Sequence, residues 1–508
     1  MYEAILYLLL VAGSVCFLTP LVRYFNDPLD LRKYPAANIL AAITPLWLVK
    51  ETWNQKRSTT IHRLHQKLGP IVRISPDQLV FNDPKAIPEI YGHLQARKFE
   101  KDVFYDNLSA GGLHDIVTSR NHDEHSRKRR YLANSFAHKT VVDMEPVIRE
   151  NFQRLLHRID DALGPMNIRL WLNYFTLDVI GDMAYGSPLG FLEQGHDRFM
   201  AVTADDHVYS VKSTIDTLHR GTRFSVTLAQ FLSTATVLTW RLVLSCANFA
   251  YILPNPKDAD DFTNIARYQL QKRLDIGEPG RSSRDFMSGI LSTKGGEKRD
   301  ISRAELVAES VVFLNAGSDT TAAALTNTLY YLLTNPQCLS TLRREIDQLV
   351  HDGDDGILPH ASVRDLPYLR ACIDESLRLR PPIAYPLQRV VTAPEGATVL
   401  GHHLRKGTVV AVPPFSVHRH GIFPDAEAFV PDRWLDPSQL QDLKAYTIPF
   451  STGPRACLGR HIAIVELQIL IATLVWSPIP ALCMWFSDVD SVSSVRQKGM
   501  IHNVTGMR

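Results

Sequence analysis

The sequence predicts a mainly α-helical protein with a small β portion, preceded by a transmembrane helix. Long stretches of the 508-residue chain carry apolar residues at helical spacing, whereas strand-like runs are short and few. Helical and strand-like segments do not alternate regularly, which argues against a doubly wound parallel sheet. Residues 4–22 are almost wholly apolar, which is the pattern of a helix that spans a membrane.

The apolar segment at residues 4–22 is predicted to be an uncleaved membrane anchor, the alternative being a buried or interfacial helix. Its length is close to the roughly 20 residues that an α-helix needs to cross a bilayer. Arg23 and Lys33 follow it, so the positive-inside rule places the rest of the chain in the cytosol. Residues 23–50 are expected to form a linker that contacts the membrane, and residues 51–508 one catalytic domain.

The remaining elements follow from local patterns. Residues 71–81 indicate two short strands around Ser75-Pro76-Asp77, which is a hairpin signal. Ser302 and Glu305 are spaced as a capping box at the start of a long apolar helix that Asn335-Pro336 ends. Other predicted elements are helices at 122–136, within 145–275, at 363–380 and from near 457, strands at 397–400 and 408–412, and a proline-rich meander at 423–449.

The composition excludes several classes of protein. Hydrophobic residues make up 45% of the chain and charged residues 21%, which excludes disordered and collagen-like chains. The 55 Lys and Arg residues nearly balance the 53 Asp and Glu residues, and this argues against a nucleic-acid partner, which would require a basic excess. The six cysteines form no CxxC pair, so neither a disulfide framework nor a structural zinc site is expected.

The sharpest motif lies in residues 450–459, FSTGPRACLG, which fits FxxGxRxCxG. Cys457 lies on a glycine-rich turn at a predicted helix start, where the helix dipole and backbone N–H groups stabilise a thiolate. Such a thiolate could be a nucleophile, a zinc ligand or the axial ligand of a haem iron. Zinc lacks its other ligands here, and a nucleophile would not need Phe450 and the glycines. Haem ligation uses every residue of the motif.

Three further motifs accompany it: AGSDTT at 316–321, ESLR at 375–378 and PDRW at 431–434. With these, the sequence resembles the cytochrome P450 haem-thiolate monooxygenases from about residue 35 to the helix after Cys457. The resemblance implies the cytochrome P450 fold, haem b as the cofactor and Cys457 as its iron ligand.

The resemblance also implies roles for residues in the accompanying motifs. Asp319 and Thr320 are expected to be catalytic, because they would relay the protons that oxygen activation consumes. The alternative for Thr320 is a hydrogen bond to a carbonyl of its own helix. Glu375, Arg378 and Arg433 are expected to be structural and to hold the meander beneath the haem. Without the family pattern, Glu375 and Arg378 could form an ordinary ion pair on the protein surface.

Haem brings two propionates that require basic partners. His125 and Arg129 are four residues apart on one helix and so face the same way. By resemblance, these two residues, Arg389 and Arg455 are expected to bind the propionates. The other residues expected to contact the cofactor are Phe450, Gly453 and Gly459.

Two surfaces beyond the cofactor site are also predicted. Asn315 and Ala316 are expected to line the substrate pocket, with Asn315 selecting a polar group on the substrate. The alternative for Asn315 is a hydrogen bond to a neighbouring helix. Arg127, Lys128 and Arg130 flank Arg129 and are expected to form a docking surface for the electron donor, the alternative being a solvated face without a partner.

The sequence contains no GxG, hence no dinucleotide-binding loop, and the electrons must come from a separate protein. The resemblance implies an NADPH–cytochrome reductase at the endoplasmic reticulum membrane, with cytochrome b5 as an additional donor. The implied reaction inserts one oxygen atom from O2 into a small lipophilic substrate, by hydroxylation or epoxidation.

Residues 104–106, 124–130 and 373–379 resemble fungal microsomal members, in particular the benzoate para-hydroxylase group, although the loop after Asp106 departs from that group. A tailoring step in fungal secondary metabolism is therefore favoured. The alternatives are a benzoate-type aromatic acid para-hydroxylase, a haem-thiolate isomerase or dehydratase that needs no reductase, and a ligand-binding membrane protein without catalytic activity.

Overall fold

The computed structural model describes residues 18–109, 112–162, 164, 166–232, 257–276, 285–293, 296–349 and 356–477. The prediction of a mainly helical protein with a small β portion is confirmed. Most of the predicted anchor (residues 4–17) and the segment after residue 477 lie outside the described residues. Within the described ranges, every helix is too short or too polar to cross a bilayer.

The helices carry most of the chain. They are α1 (18–26), α2 (Ile39–Ile43), α3 (Leu46–Trp53), α4 (Arg57–Leu68), α5 (Ala86–Tyr91), α6 (His122–Leu132), α7 (His138–Asp143), α8 (Glu145–Asp160), α9 (Ile168–Tyr185), α10 (Phe191–Gln194), α11 (Thr214–Leu232), α12 (Lys257–Ile276), α13 (Phe286–Leu291), α14 (Arg303–Thr334), α15 (Pro336–Asp347), α16 (His360–Val363), α17 (Pro367–Leu379), α18 (Pro414–Val417), α19 (Pro437–Ala445) and α20 (Arg460–Trp476). Short 3-10 helices cover His93–Gln95, Val103–Leu108, Pro431–Leu435 and Gly453–Arg455.

The described strands form three small sheets. They are β1 (Ile71–Ser75), β2 (Gln78–Phe81), β3 (Phe99–Lys101), β4 (Phe199–Val202), β5 (Val208–Val211), β6 (Arg389–Val391), β7 (Ala397–Val399), β8 (His402–Leu404) and β9 (Val409–Ala411). The largest sheet has the order β1-β2-β9-β6-β3, in which only β2 and β9 are parallel. The predicted hairpin at 71–81 is present as β1 and β2. The β4–β5 ribbon lies inside a region that the sequence predicts to be mostly helical.

Two long helices cross at the centre of the molecule. In α9 nearly every residue is buried, and Asn167 caps its start by accepting a hydrogen bond from the N–H of Leu170. Helix α14 begins where Ser302 caps the N–H of Glu305 at 3.1 Å, as the capping box predicted. The two helices meet at Gly317, where a Cβ atom would lie 2.7 Å from the Cγ1 of Ile180. Only glycine allows this close approach, which sets the position of α14.

A buried carboxylate joins α17 to the proline-rich meander. Glu375 and Arg378 are fully buried and form a two-pronged ion pair, with both N–O distances at 2.8 Å. Glu375 also accepts hydrogen bonds from the Nε of Arg433 at 3.2 Å and from the indole of Trp434 at 2.9 Å. Arg378 donates to the carbonyl of His418 at 2.9 Å, among others. One ion pair therefore ties three segments of chain together.

Replacing Glu375 with Gln is expected to cost about 3–5 kcal/mol of folding free energy, because the guanidinium of Arg378 then stays buried without a counter-charge. The matched control is Asp374→Asn, on the same helix. Asp374 pairs with Arg370 at a partly exposed position, so this change is expected to cost less than about 1 kcal/mol. Urea denaturation of the four chains (parent, both single variants and the double variant) measures the difference. Equal losses for both variants would contradict the structural role of Glu375.

Candidate active site

The segment at residues 450–459, here called the cysteine loop, presents a thiol. The N–H of Cys457 donates to the carbonyl of Phe450 at 2.8 Å and closes the loop just before α20 begins. Burial raises the pKa of the Cys457 thiol, while the backbone N–H groups of Gly459 and Arg460 and the charge of Arg129 oppose this rise. Cys457 nevertheless remains accessible. The loop therefore holds an accessible sulfur that hydrogen-bond donors favour as a thiolate.

The two glycines of the cysteine loop meet different constraints. Gly453 has a φ of +69°, and a Cβ there would lie 1.9 Å from the carbonyl oxygen of Tyr91. Glycine is therefore required here by the protein's own backbone, and the contact of Gly453 with the cofactor stays a prediction. At Gly459 an added Cβ would meet no atom within 4 Å. The space beside Gly459 is therefore open, which is compatible with its expected contact with a flat cofactor.

Helix α14 carries the second part of the site. Ala316 is exposed in the middle of this otherwise well-packed helix, and Asn315 beside it is half-buried. The hydroxyl of Thr320 donates to the carbonyl of Ala316 at 2.7 Å, which is the alternative contact that the sequence left open. That bond uses the hydroxyl's proton, so the hydroxyl oxygen can still accept a hydrogen bond from another donor.

Asp319 has a partner that sequence analysis missed. Its Oδ1 lies 2.8 Å from the Nε2 of His219, on helix α11, and both side chains are largely buried. The Nδ1 of His219 is buried and has no hydrogen-bond partner among the described residues. Because the two residues are a hundred positions apart, no local pattern indicated the pair. The contact links the acid of α14 to helix α11.

Four basic side chains gather beside the cysteine loop: Lys101, Arg129, Arg389 and Arg455, here called the cation cluster. Burial and the charges of Arg389 and Arg455 lower the pKa of Lys101 well below its usual value. Burial and the charge of Arg389 likewise lower the pKa of Arg455 to about 10. In the part of the chain that the structure describes, none of the four forms an ion pair with a carboxylate. So much buried positive charge is unfavourable unless an anion compensates it.

The members of the cation cluster are held by backbone carbonyls. Arg129 donates to the carbonyl of Ala456 at 2.9 Å, immediately before Cys457. Arg455 donates to the carbonyls of Ser119 at 2.6 Å and Arg120 at 2.8 Å, and Arg389 to that of Gln388 at 2.9 Å. These bonds fix the guanidinium groups without neutralising them.

His125 is also buried beside the cation cluster. Burial and the neighbouring charges of Arg455, Lys101 and Arg129 lower the pKa of His125 to about 3. The imidazole is therefore neutral at physiological pH and can donate one hydrogen bond. The structure thus brings His125, Arg129, Arg389 and Arg455 together, as expected, and adds Lys101, which sequence analysis missed.

A family model for cytochrome P450 matches residues 41–477. The chain belongs to the cytochrome P450 family. It is 32% identical to a benzoate 4-monooxygenase of Aspergillus niger over 91% of each chain. It is also 30% identical to the cytochrome P450 monooxygenase ABA2 of Pyricularia oryzae, over 93% of this chain and 88% of that one, and 31% identical to the cytochrome P450 monooxygenase cicH of Emericella nidulans, over 89% of each. The protein is therefore a monooxygenase, an oxidoreductase that uses haem b.

The residues of this cytochrome P450 fit its cofactor. Cys457 offers one accessible thiol, and within the described residues no group of His, Cys, Asp or Glu gathers that could hold a metal ion by itself. The cation cluster lacks carboxylate partners, which the two propionates of haem would supply. Positive charges without partners and a single sulfur suit an anionic macrocycle better than a zinc ion.

The predicted docking surface for the electron donor is wrong at its central residue. Lys128 is buried and its Nζ contacts Glu305 at 2.6 Å and Glu309 at 2.9 Å, both on α14. Arg127 also pairs with Glu305 at 2.8 Å, and only Arg130 is exposed. The physical reason is that the acidic start of α14 packs against α6 and takes up these charges. The run of basic residues is a helix–helix contact.

Replacing Lys101 with Met is expected to reduce the haem content of the purified protein severalfold, because one propionate partner is lost. The haem-free variant should melt at the same temperature as the haem-free parent or higher, since a buried, repelled cation is removed. Lys98→Met is the control, because Lys98 is exposed three residues earlier. The haem-to-protein absorbance ratio and thermal melting check both results. Full haem content in the Lys101 variant would contradict the assignment.

Proposed function

We propose that this cytochrome P450 inserts one oxygen atom from O2 into a small lipophilic substrate, by hydroxylation or epoxidation, with electrons from an NADPH–cytochrome reductase. The observation that carries the proposal is the accessible thiol of Cys457, held by backbone donors beside a cation cluster without carboxylate partners. Family members generally work with a redox partner, O2 and lipophilic substrates. The particular reductase and cytochrome b5 as a second donor are part of the proposal.

Each site residue has a physical task in this proposal. Haem, when bound, supplies the iron that activates O2. Cys457 is its protein ligand, and the cation cluster with His125 holds its propionates. Thr320 accepts a proton-bearing water through its free lone pair, and Asp319 supplies protons. His219 orients Asp319 by holding its Oδ1 at 2.8 Å, so the acid keeps one direction.

The substrate class is a separate proposal from the reaction. One relative is a benzoate 4-monooxygenase, and the names of the other monooxygenases state no substrate. We propose a tailoring step in fungal secondary metabolism, with Asn315 and Ala316 of α14 lining the pocket. Hydroxylation of an aromatic acid is the second candidate, which the 32% identity to the benzoate 4-monooxygenase favours.

We further propose that the protein is held at the endoplasmic reticulum membrane with its catalytic domain in the cytosol. Large apolar side chains are exposed at several positions near the N-terminal end of the described chain, and exposed apolar side chains suit a lipid surface. They are Leu18, Val22, Phe25, Ile39, Leu40 and Leu46. Their exposure supports the proposal that residues 23–50 contact the membrane.

The proposed activity is tested by NADPH consumption with a microsomal reductase, in the presence and absence of a library of lipophilic candidate substrates. Substrate-dependent consumption with an oxygenated product, identified by mass spectrometry, is expected. In the Cys457→Ala variant, the reduced carbon-monoxide complex should lose its thiolate-type spectrum. Product formation without reductase or NADPH would instead indicate an isomerase or dehydratase.

Replacing Thr320 with Ala is expected to lower the product formed per NADPH severalfold, since proton delivery fails and electrons go to peroxide or water. The fold and haem content should stay, because the hydroxyl donates only to the carbonyl of Ala316. Thr326→Ala is the matched control: Thr326 makes the same 2.7 Å bond, to Ala322, further along α14. An unchanged product-to-NADPH ratio in the Thr320 variant would refute the relay.

A further inference from the structure

Arg57, the first residue of α4, is a buried cation without a counter-ion. Its side chain is largely enclosed, and the residue is 6% exposed. Nη1 donates to the Oε1 of Gln230 at a long 3.4 Å, and the guanidinium lies 4.4 Å from the centroid of the Tyr385 ring. Among the described residues no carboxylate lies within ion-pair distance of it. Its other N–H groups have no hydrogen-bond acceptor there either.

The guanidinium stays charged in this setting. Burial lowers the pKa of Arg57 to about 10, and only the phenols of Tyr385 and Tyr105 oppose the change. Arginine with such a pKa is protonated at neutral pH. A buried charge without a partner is strongly unfavourable, and proteins retain one where something compensates it. The ring of Tyr385 and the neutral amide of Gln230 compensate only a small part of this cost.

The polar groups around Arg57 are also incompletely satisfied. Gln388 donates through Nε2 to the Oε1 of Gln78 at 3.1 Å and to the Oε1 of Gln230 at 2.9 Å. The Nε2 of Gln78 and the Oε1 of Gln388 are buried and lack partners within the described chain. Buried polar atoms are usually paired, so this amide network has capacity for another polar group.

The position of Arg57 connects it to the active site. Tyr385 and Gln388 belong to the segment that runs from α17 into β6, whose first residue is Arg389 of the cation cluster. Burial raises the pKa of Tyr105 and the charge of Arg389 opposes this rise, so the phenol that acts on Arg57 also lies near Arg389. Tyr105 therefore lies between the unpaired guanidinium of Arg57 and the cation cluster.

We propose that Arg57 binds the carboxylate group of the substrate, so that the protein oxidises lipophilic acids. The inference rests on the proposed monooxygenase function and names its substrate class. A carboxylate matches the planar fork of a guanidinium and makes the strong, charge-assisted hydrogen bonds that the neutral neighbours cannot provide. Tyr105 and Tyr385 offer aromatic walls to the apolar part of the acid.

The test is equilibrium binding to the haem-containing protein without reductase, measured by isothermal titration calorimetry. The probes are octanoate against octanamide and benzoate against benzamide, which differ in charge at nearly equal size. The parent should bind at least one acid roughly tenfold or more tightly than its amide. Arg57→Met should lose that preference, and Arg57→Lys should keep part of it. Arg63→Met, at an exposed position of the same helix, should change nothing.

Thermal melting separates this proposal from a structural role. Without ligand, Arg57→Met should melt at the parent's temperature or above it, because a buried unpaired charge has been removed. A lower melting temperature with an unchanged acid-to-amide ratio would overturn the proposal, as would a parent that prefers neither acid. If Arg57→Met fails to fold, the parent's ratio and the Arg57→Lys variant decide. Because no turnover is measured, failure of the monooxygenase proposal would appear separately, in the NADPH assay.

Discussion

The buried ion pair between Glu375 and Arg378 is the interaction on which the site depends. The carboxylate receives hydrogen bonds from Arg433 and Trp434. The guanidinium donates to the meander carbonyls of Ala426 and Ala428 and to that of His418, which precedes the meander. His418 in turn accepts a hydrogen bond from the N–H of Ile448, just before the cysteine loop. A single charge pair therefore transmits the position of α17 to the segment that presents Cys457. Loss of either charge would leave the other buried and unpaired.

A second constraint is the excess of positive charge beside the cysteine loop. The folded chain places Lys101, Arg129, Arg389 and Arg455 together, and among the described residues no ion pair with a carboxylate offsets their repulsion. The two propionates of the cofactor would offset it, so binding of the cofactor is expected to stabilise this region.

How much the sequence predicted depended on whether the relevant residues lie in one motif. The cysteine loop, the start of α14 and the Glu375–Arg378 pair could be predicted, because spacing alone places their residues together. Lys101, His219 and Arg57 could not, since each meets its neighbours across a large sequence separation. Lys128 was misassigned because a helical charge pattern shows which face is basic but not which acidic helix covers it. The β4–β5 ribbon was missed because its two short strands lie within a region of strong helical pattern.

The contact of Gly317 with Ile180 has an evolutionary consequence. Because a side chain at 317 would collide with Ile180 of α9, a substitution of Gly317 requires a smaller side chain at 180 or a shift of the helix. Such a shift would move Asp319 and Thr320, so position 317 is expected to accept few single substitutions. Asn315 and Ala316 precede it on the same helix, and as half-buried and exposed residues they leave more room for substitution. One helix therefore combines a position that accepts no side chain with neighbouring positions that can change.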